Sequence, residues 1–217
     1  QLSKRGINYK DRGNISGFRW QVDKTNPRAM NAGKVESVAR EAAEQVALAL
    51  EQEDKVLVLG GDCTVELGTV AGAVSDNESV GLIYIDLDTD LNTPESTDDG
   101  ALDWMGVAHM LGIEGCIPEI AKLGPQAPLL TPAQILFFGN ENVKPFERHI
   151  IEDYGIEEMN LDKVISDPSG AAKSAVDNWG YQFDRLLIHL DVDVLDYLDM
   201  PLAENYRRNT GLKFCQL

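Results

Sequence analysis

Three aspartates stand at alternate positions in Ile85-Asp86-Leu87-Asp88-Thr89-Asp90, so in extended backbone their carboxylates share one face. Three like charges at the end of a buried strand are costly unless a cation compensates them. His189-Leu190-Asp191-Val192-Asp193-Val194-Leu195-Asp196 repeats the theme, with residues 189, 191 and 193 on one face and Leu190, Val192 and Val194 on the other. Two such segments, each following an apolar run, point to a divalent metal site. Two metal ions sharing bridging carboxylates suit so many acids. The bland alternative is a pair of solvated acidic loops, because charged side chains are mostly exposed.

Other acidic motifs fit less well. A calcium loop of the EF-hand kind wants a helix before Asp86, Gly at 91 and Glu at 97; the chain offers a strand-like run, Leu91 and Thr97. A phosphatase of the haloacid-dehalogenase type wants Thr where Asp90 stands. Gly60-Gly61-Asp62-Cys63-Thr64 adds glycines that permit a sharp turn, and a cysteine that reads as a thiolate ligand, a nucleophile or an inert buried thiol. No histidine follows in a pattern that suggests a Cys/His nucleophilic pair. His109 and His149 fall in helix-like stretches and read as packing or surface residues, whereas His189 shares a strand face with Asp191 and Asp193 and could orient a ligand carboxylate. Trp104, beside Asp103, reads as a core residue or as a wall of the site.

The elements that must position these groups are legible in the hydrophobic pattern. Val35, Val38, Ala39, Ala42, Ala43, Val46, Ala47 and Leu50 recur at helical spacing between Asn31 and Gln52. Lys55 to Leu59 reads as a short buried strand stopped by Gly60-Gly61, and Thr64 to Val74 as the helix that follows. Further buried strands are expected at Val80 to Asp86, Gln134 to Gly139 and Arg185 to Asp191, with helices at about Ala101 to Gly112, Pro145 to Tyr154 and Ala171 to Phe183. Asn14 to Pro27 and Leu123 to Pro132 read as surface loops. This alternation predicts an α/β protein, a parallel sheet covered on both faces. Three of the four apolar runs lead into aspartates, at the sheet edge where open α/β folds bind ligands.

Composition narrows the partners. In 217 residues, 43% hydrophobic and 25% charged, 36 Asp and Glu against 19 Lys and Arg leave a formal charge of −17. A chain so acidic repels phosphate backbones and anionic membranes, which argues against nucleic acid or a membrane as partner. The longest apolar runs are strand-sized, too short to span a bilayer. Cys63, Cys116 and Cys215 are odd in number and far apart, which argues for a reducing compartment, by default the cytoplasm. No charged-then-apolar signal pattern opens the chain.

Three motifs in order, Val58-Leu-Gly-Gly-Asp-Cys-Thr64 followed by Gly68, Ile85-Asp-Leu-Asp-Thr-Asp-Leu-Asn-Thr-Pro94, and His189 to Asp196, resemble the signature motifs of the arginase/agmatinase (ureohydrolase) family. Supporting matches run from Lys10-Asp-Arg-Gly-Asn14 through Asn26-Pro-Arg28 to near Gly211, so the resemblance covers essentially the whole chain. It implies one arginase-like domain over 1–217, a three-layer α/β/α fold, and a binuclear manganese centre. It further implies hydrolysis of a small cationic guanidine or amidine by a metal-bridging hydroxide, in a homo-oligomer. The last family glutamate would lie beyond Leu217 and the first family strand before Gln1, so the domain reads as trimmed at both ends.

Carried over by position, one metal would see Cys63, Asp86, Asp90 and Asp191, and the other Asp86, Asp88, Asp191 and Asp193. Cys63 and Asp88 stand where the family usually has histidine, although a branch resembling hydroxyarginine hydrolases also has Cys at the first place. Five carboxylates and a thiolate outweigh two divalent ions by two charges, so the empty site should repel itself, and the expectation is either tight metal binding or a site in which Asp88 or Cys63 stays protonated and one metal binds. The resemblance makes Asp90 the acceptor of a hydrogen bond from the nucleophile and Asp103 the proton relay in a substrate loop over Asn92 to Gly106, with Asn92 and Glu147 at substrate-binding places. Asn142 and Lys144 replace acids before Glu147. Loss of both imidazoles motivates an alternative: an inactive arginase-fold protein kept for regulation or assembly.

Overall fold

The computed structural model describes residues 2–52, 55–75, 78–202 and 208–217. Four parallel strands, β1 (Val80–Ile85), β2 (Ile135–Phe138), β3 (Glu157–Met159) and β4 (Arg185–Leu190), form one sheet in the order β3-β2-β1-β4. Parallel neighbours require crossovers, and helices supply them. Among the described residues the α-helices are α1 (Ala32–Leu50), α2 (Thr64–Ala73), α3 (Gly106–Leu111), α4 (Pro118–Ala121), α5 (Pro145–Tyr154), α6 (Leu161–Ser166) and α7 (Pro168–Lys173).

Period-two alternation sends each strand's side chains to two cores. Leu82, Tyr84, Ile135 and Phe137 pack with Val35, Ala39, Leu67, Val70 and Ala108 from the helices on one face. Ile83, Leu136 and Phe138 pack with Leu161, Val164, Ala171 and Trp179 on the other. The result is the three-layer α/β/α arrangement expected from the sequence. Among the described residues no helix is long and apolar enough to cross a membrane.

The helix expected over 31–52 forms as α1, and α2, β1, β2, α5 and β4 fall within a residue or two of expectation. The run Lys55 to Leu59 does not. It has no ladder partner, and Leu57 and Leu59 are 67% and 87% exposed. An apolar run becomes a strand only where a neighbouring edge takes its N–H and C=O groups, and no described segment does so. Among the described residues β4 is accordingly the last strand of the sheet, with Ile188 exposed on it. The helix expected over Ala171 to Phe183 is interrupted: α7 ends at Lys173, a π-helical turn spans Ser174–Trp179 and a 3-10 turn spans Gly180–Gln182. β3 went unread because Glu157-Glu158-Met159 is short, acidic and half-exposed, as an edge strand can be.

Strand order creates the site. From β1 the chain moves outward through β2 to β3, then returns across the sheet to place β4 on the other side of β1. The carboxyl ends of β1 and β4 therefore flank a topological switch point, where the connections diverge and leave a crevice.

α2, whose N-terminal residue is preceded by Cys63, is held against α1 by glycines. A Cβ at Gly68 would stand 2.4 Å from the Ala39 carbonyl oxygen, and one at Gly72 would stand 2.3 Å from that of Ala43. Gly68→Ala should therefore force the two helices apart and lower stability by about 1–3 kcal/mol, the usual cost of overpacking. Urea denaturation measures this, and an unchanged midpoint would show that the seam is not close-packed.

Candidate metal centre

In the β1–β4 register Ile85 is paired with Leu190, and the Asp191 N–H donates to the Ile85 carbonyl at 2.9 Å. The next residues, Asp86 and Asp191, are thus forced side by side. Both strand ends then turn by the same device: Asp86 Oδ1 accepts the Asp88 N–H at 2.8 Å, and Asp191 Oδ1 accepts the Asp193 N–H at 2.9 Å. Such short-range side-chain bonds replace the ladder where extended structure stops. Asp193 Oδ1 in turn accepts the Leu87 N–H at 3.3 Å, which ties the two turns together.

Two groups of donor atoms result. Cys63, Asp86, His189 and Asp191 bring four within 4.8 Å of one another, and Asp86, Asp88 and Asp193 bring three. Asp86 belongs to both, as a bridging carboxylate would. The sequence-expected Cys63, Asp86, Asp88, Asp191 and Asp193 all converge here. Asp90 lies outside both groups. It takes a left-handed φ of 49°, and its Oδ2 accepts the buried Tyr84 hydroxyl at 2.5 Å. In its stead the first group contains His189.

The Cys63 Sγ lies 3.2 Å from Asp191 Oδ2, 3.8 Å from Asp86 Oδ2 and 3.8 Å from His189 Nε2. The His189 ring stacks on Tyr84, with centroids 4.2 Å apart and planes 9° from parallel. Its Nε2 lies 3.5 Å from Asp86 Oδ2 and its Nδ1 lies 3.5 Å from Glu66 Oε2. Glu66 is 6% exposed, and its other oxygen is buried with no hydrogen-bond partner. Glu66 and Tyr84 escaped sequence reading for plain reasons. An acid in the first turn of a helix reads as a solvated partner of the helix dipole, and a tyrosine in an apolar strand reads as core.

Electrostatics follow from crowding. Burial raises Asp86, with Asp191 adding to the effect and His189 opposing it, and burial together with the Asp86 charge raises Asp90. Burial, then the Asp86 charge, pushes Asp88 up to about 7 against the Asn142 hydrogen bond; the same two causes push Asp193 up to about 8. The Cys63 thiol is driven up by burial and by Asp90, Asp86 and Asp191. Burial alone would lower His189, but its bonds to Asp86 and Glu66 prevail and hold it at about 10. Carboxyls crowded and buried to the point of holding protons beside a single imidazole are a donor set that fits divalent ions, which would displace those protons.

The surrounding loops place the remaining candidates. Asn92, 2% exposed, donates from Nδ2 to Glu147 Oε1 at 3.2 Å, while Glu147 Oε2 caps α5 through the Lys144 N–H at 2.8 Å. Asn142 Nδ2 donates to Asp88 Oδ1 at 2.5 Å, a contact not foreseen from sequence. Asp103 begins the 3-10 turn Asp103–Met105 with a buried, unpartnered Oδ1; burial, then Asp62 and Asp99, raise it to about 6. Trp104 is half-buried with the Lys144 ammonium 6.0 Å from its ring centroid. His109 is a packing residue. It is fully buried, with Nδ1 2.7 Å from the Met105 carbonyl and Nε2 accepting the Ile117 N–H at 3.0 Å.

Fold and site together define a three-layer α/β protein with a candidate divalent-metal centre at its switch point. The arginase family model matches residues 2–207, and the chain belongs to the arginase family. It is 29% identical to the arginase of Bacillus subtilis over 93% of this chain and 67% of that one, and 29% identical to rat arginase-1 over 93% and 63%. The chain thus spans about two thirds of the length of these relatives. Among solved structures, arginase from Bacillus subtilis superposes with a TM-score of 0.88 at 25% identity, covering 99% of this chain and 72% of that one. Formimidoylglutamase from Bacillus subtilis superposes with a TM-score of 0.64 at 16% identity, over 83% and 52%, a likeness of fold.

A pH dependence follows from the raised carboxyls. Asp88 and Asp193 titrate near 7 and 8 when folded but near 3.9 when unfolded, so protons held by the native state stabilise it fully below about pH 4. That contribution is lost as pH rises to about 8. The melting temperature of metal-free protein should fall across this window, and Asp88→Asn should flatten part of the fall. Because ligands must lose protons, the melting-temperature gain on adding manganese or zinc should be larger at pH 8 than at pH 5. Equal gains at both pH values would count against metal capture by these carboxylates.

Proposed function

We propose that this chain belongs to a metal-dependent hydrolase that cleaves a C–N bond of a small linear guanidine or amidine. The observation that carries the reading is Asp86, shared by two donor groups at the switch point. Cys63, Asp86 and Asp191 would hold one ion and Asp86, Asp88 and Asp193 the other, with manganese the family's expected metal. Such a pair, when bound, would make a water molecule acidic enough to attack at neutral pH.

The chain's own groups supply the rest. Asp90, one oxygen of which is taken by the Tyr84 hydroxyl, would accept the nucleophile's hydrogen bond on its other oxygen. Asp103, with its carboxyl near 6 and one oxygen unpartnered, is proton-loaded in part at neutral pH and suits relay to the leaving amine. Asn92 and Glu147 brace each other at the start of the substrate loop. The excess of negative charge in the crevice favours a cationic guanidinium or amidinium over neutral amides.

The test is urea or ammonia release by the full protein from arginine, agmatine, guanidinobutyrate, hydroxyarginine and formiminoglutamate, with manganese, nickel or zinc added. Turnover of at least one is expected. Asp86→Asn should abolish it, and Asp103→Asn should lower it by roughly 10²- to 10⁴-fold, the usual weight of a general acid or base. No turnover with any metal overturns the reading and favours a non-catalytic family member.

A further inference from the structure

The first donor group differs in chemistry from the second. It contains a thiol, an imidazole and two carboxylates, whereas the second is carboxylate alone. Tetrahedral coordination with bonds of about 2.0–2.3 Å places ligand atoms roughly 3.3–3.8 Å from one another. The separations in the first group are 3.2 Å (Cys63 to Asp191), 3.5 Å (His189 to Asp86), 3.8 Å (Cys63 to Asp86) and 3.8 Å (Cys63 to His189). Three of these contacts have the size of edges of a coordination tetrahedron, the Cys63–Asp191 contact is slightly shorter, and all four donor atoms lie within 4.8 Å of one another.

The far side of the imidazole supports the same assignment. A metal-ligating histidine nearly always turns its second ring nitrogen toward a carboxylate, carbonyl or water, which fixes the tautomer and ring orientation. His189 Nδ1 faces Glu66 Oε2 at 3.5 Å, and Tyr84 stacks flat against the ring. Glu66 has no other evident reason to be buried: it is 6% exposed in an otherwise apolar stretch of α2, with its remaining oxygen unpartnered.

We propose that His189 is a direct ligand of the first metal, oriented by Glu66, and that with Cys63 it makes that position selective for a borderline-soft ion such as zinc. Beside it, Asp86, Asp88 and Asp193 form a hard position suited to manganese or magnesium, so the centre holds two unlike ions. Softness decides the division, since thiolate and imidazole favour zinc-like ions and carboxylate favours manganese. The inference rests on reading the site as a metal centre, but not on what it hydrolyses.

The experiment is cobalt titration of the metal-free full protein, followed by absorption spectroscopy. Two cobalt ions per chain are expected, one of them giving a near-ultraviolet thiolate-to-cobalt band. Zinc should bleach that band and manganese should not. Cys63→Ser should remove it. Glu66→Gln should weaken the thiolate-bearing position about 10- to 100-fold while leaving the other unchanged, the usual weight of an outer-shell partner. X-ray absorption on the zinc-loaded protein should show sulfur at about 2.3 Å and nitrogen near 2.0–2.1 Å.

His189→Gln should change the cobalt spectrum, and circular dichroism checks that both variants fold. Cobalt bound without a thiolate band, or unchanged spectrum and affinity in folded Glu66→Gln and His189→Gln, overturns the proposal. So does a single bound ion, which would leave the centre without its second, harder position. Turnover separates this reading from the hydrolase reading: a thiolate band without turnover sinks only the hydrolase, and turnover without sulfur ligation sinks only the mixed centre.

Discussion

The parallel pairing of β1 with β4, in a register that aligns Ile85 with Leu190, puts Asp86 and Asp191 next to one another. Hydrophobic burial along the strands fixes that register, since a slip of one residue would turn Leu82 and Tyr84 out of one core and Ile83 out of the other. The apolar strands therefore impose proximity on carboxylates that would repel each other in any open arrangement. Much around them answers this imposed repulsion. Backbone N–H groups of Leu87, Asp88 and Asp193 point at carboxylate oxygens, His189 sits between two acids, and several groups hold protons.

Two helical features add to the strands. The glycine seam between α1 and α2 seats the turn at Gly60-Gly61 so that Cys63 meets residues from β1 and β4 across the crevice. The same helix carries Glu66 one turn on, so a single element supplies both a thiol and the acid behind His189. The Asn92–Glu147 hydrogen bond joins the loop after β1 to the first turn of α5.

What the sequence disclosed is the part governed by periodicity. Helix α1 with its alanines and valines, the apolar strands, and the acids at their ends all follow from local spacing. The convergence of Cys63, Asp86, Asp88, Asp191 and Asp193 was legible because strand ends share one edge. What it hid depends on partners distant along the chain. Lys55 to Leu59 has the composition of a strand but no neighbour to pair with. Glu66 lies a full helical turn from Cys63 and owes its burial to His189, 123 positions later by the numbering. Asp90 was read as sharing a face with Asp86 and Asp88, which holds for extended backbone, but a left-handed φ turns its carboxylate toward Tyr84.

Asp90 and His189 are coupled through Tyr84, and that coupling bears on how the site tolerates its unusual residues. Tyr84 gives its hydroxyl to Asp90 and its ring face to His189, so one fully buried side chain settles both neighbours at once. One oxygen of Asp90 is taken by the hydroxyl, and with the imidazole stacked on the ring its Nε2 faces Asp86 and its Nδ1 faces Glu66. Only the group that contains Cys63 also contains a histidine, His189 from β4. The Asp88 side has none, and its extra carboxylate is met by the Asn142 amide. The two halves of the crevice therefore depart from symmetry in opposite senses, one toward softer donors and one toward harder ones, and a centre built this way discriminates between metals by position.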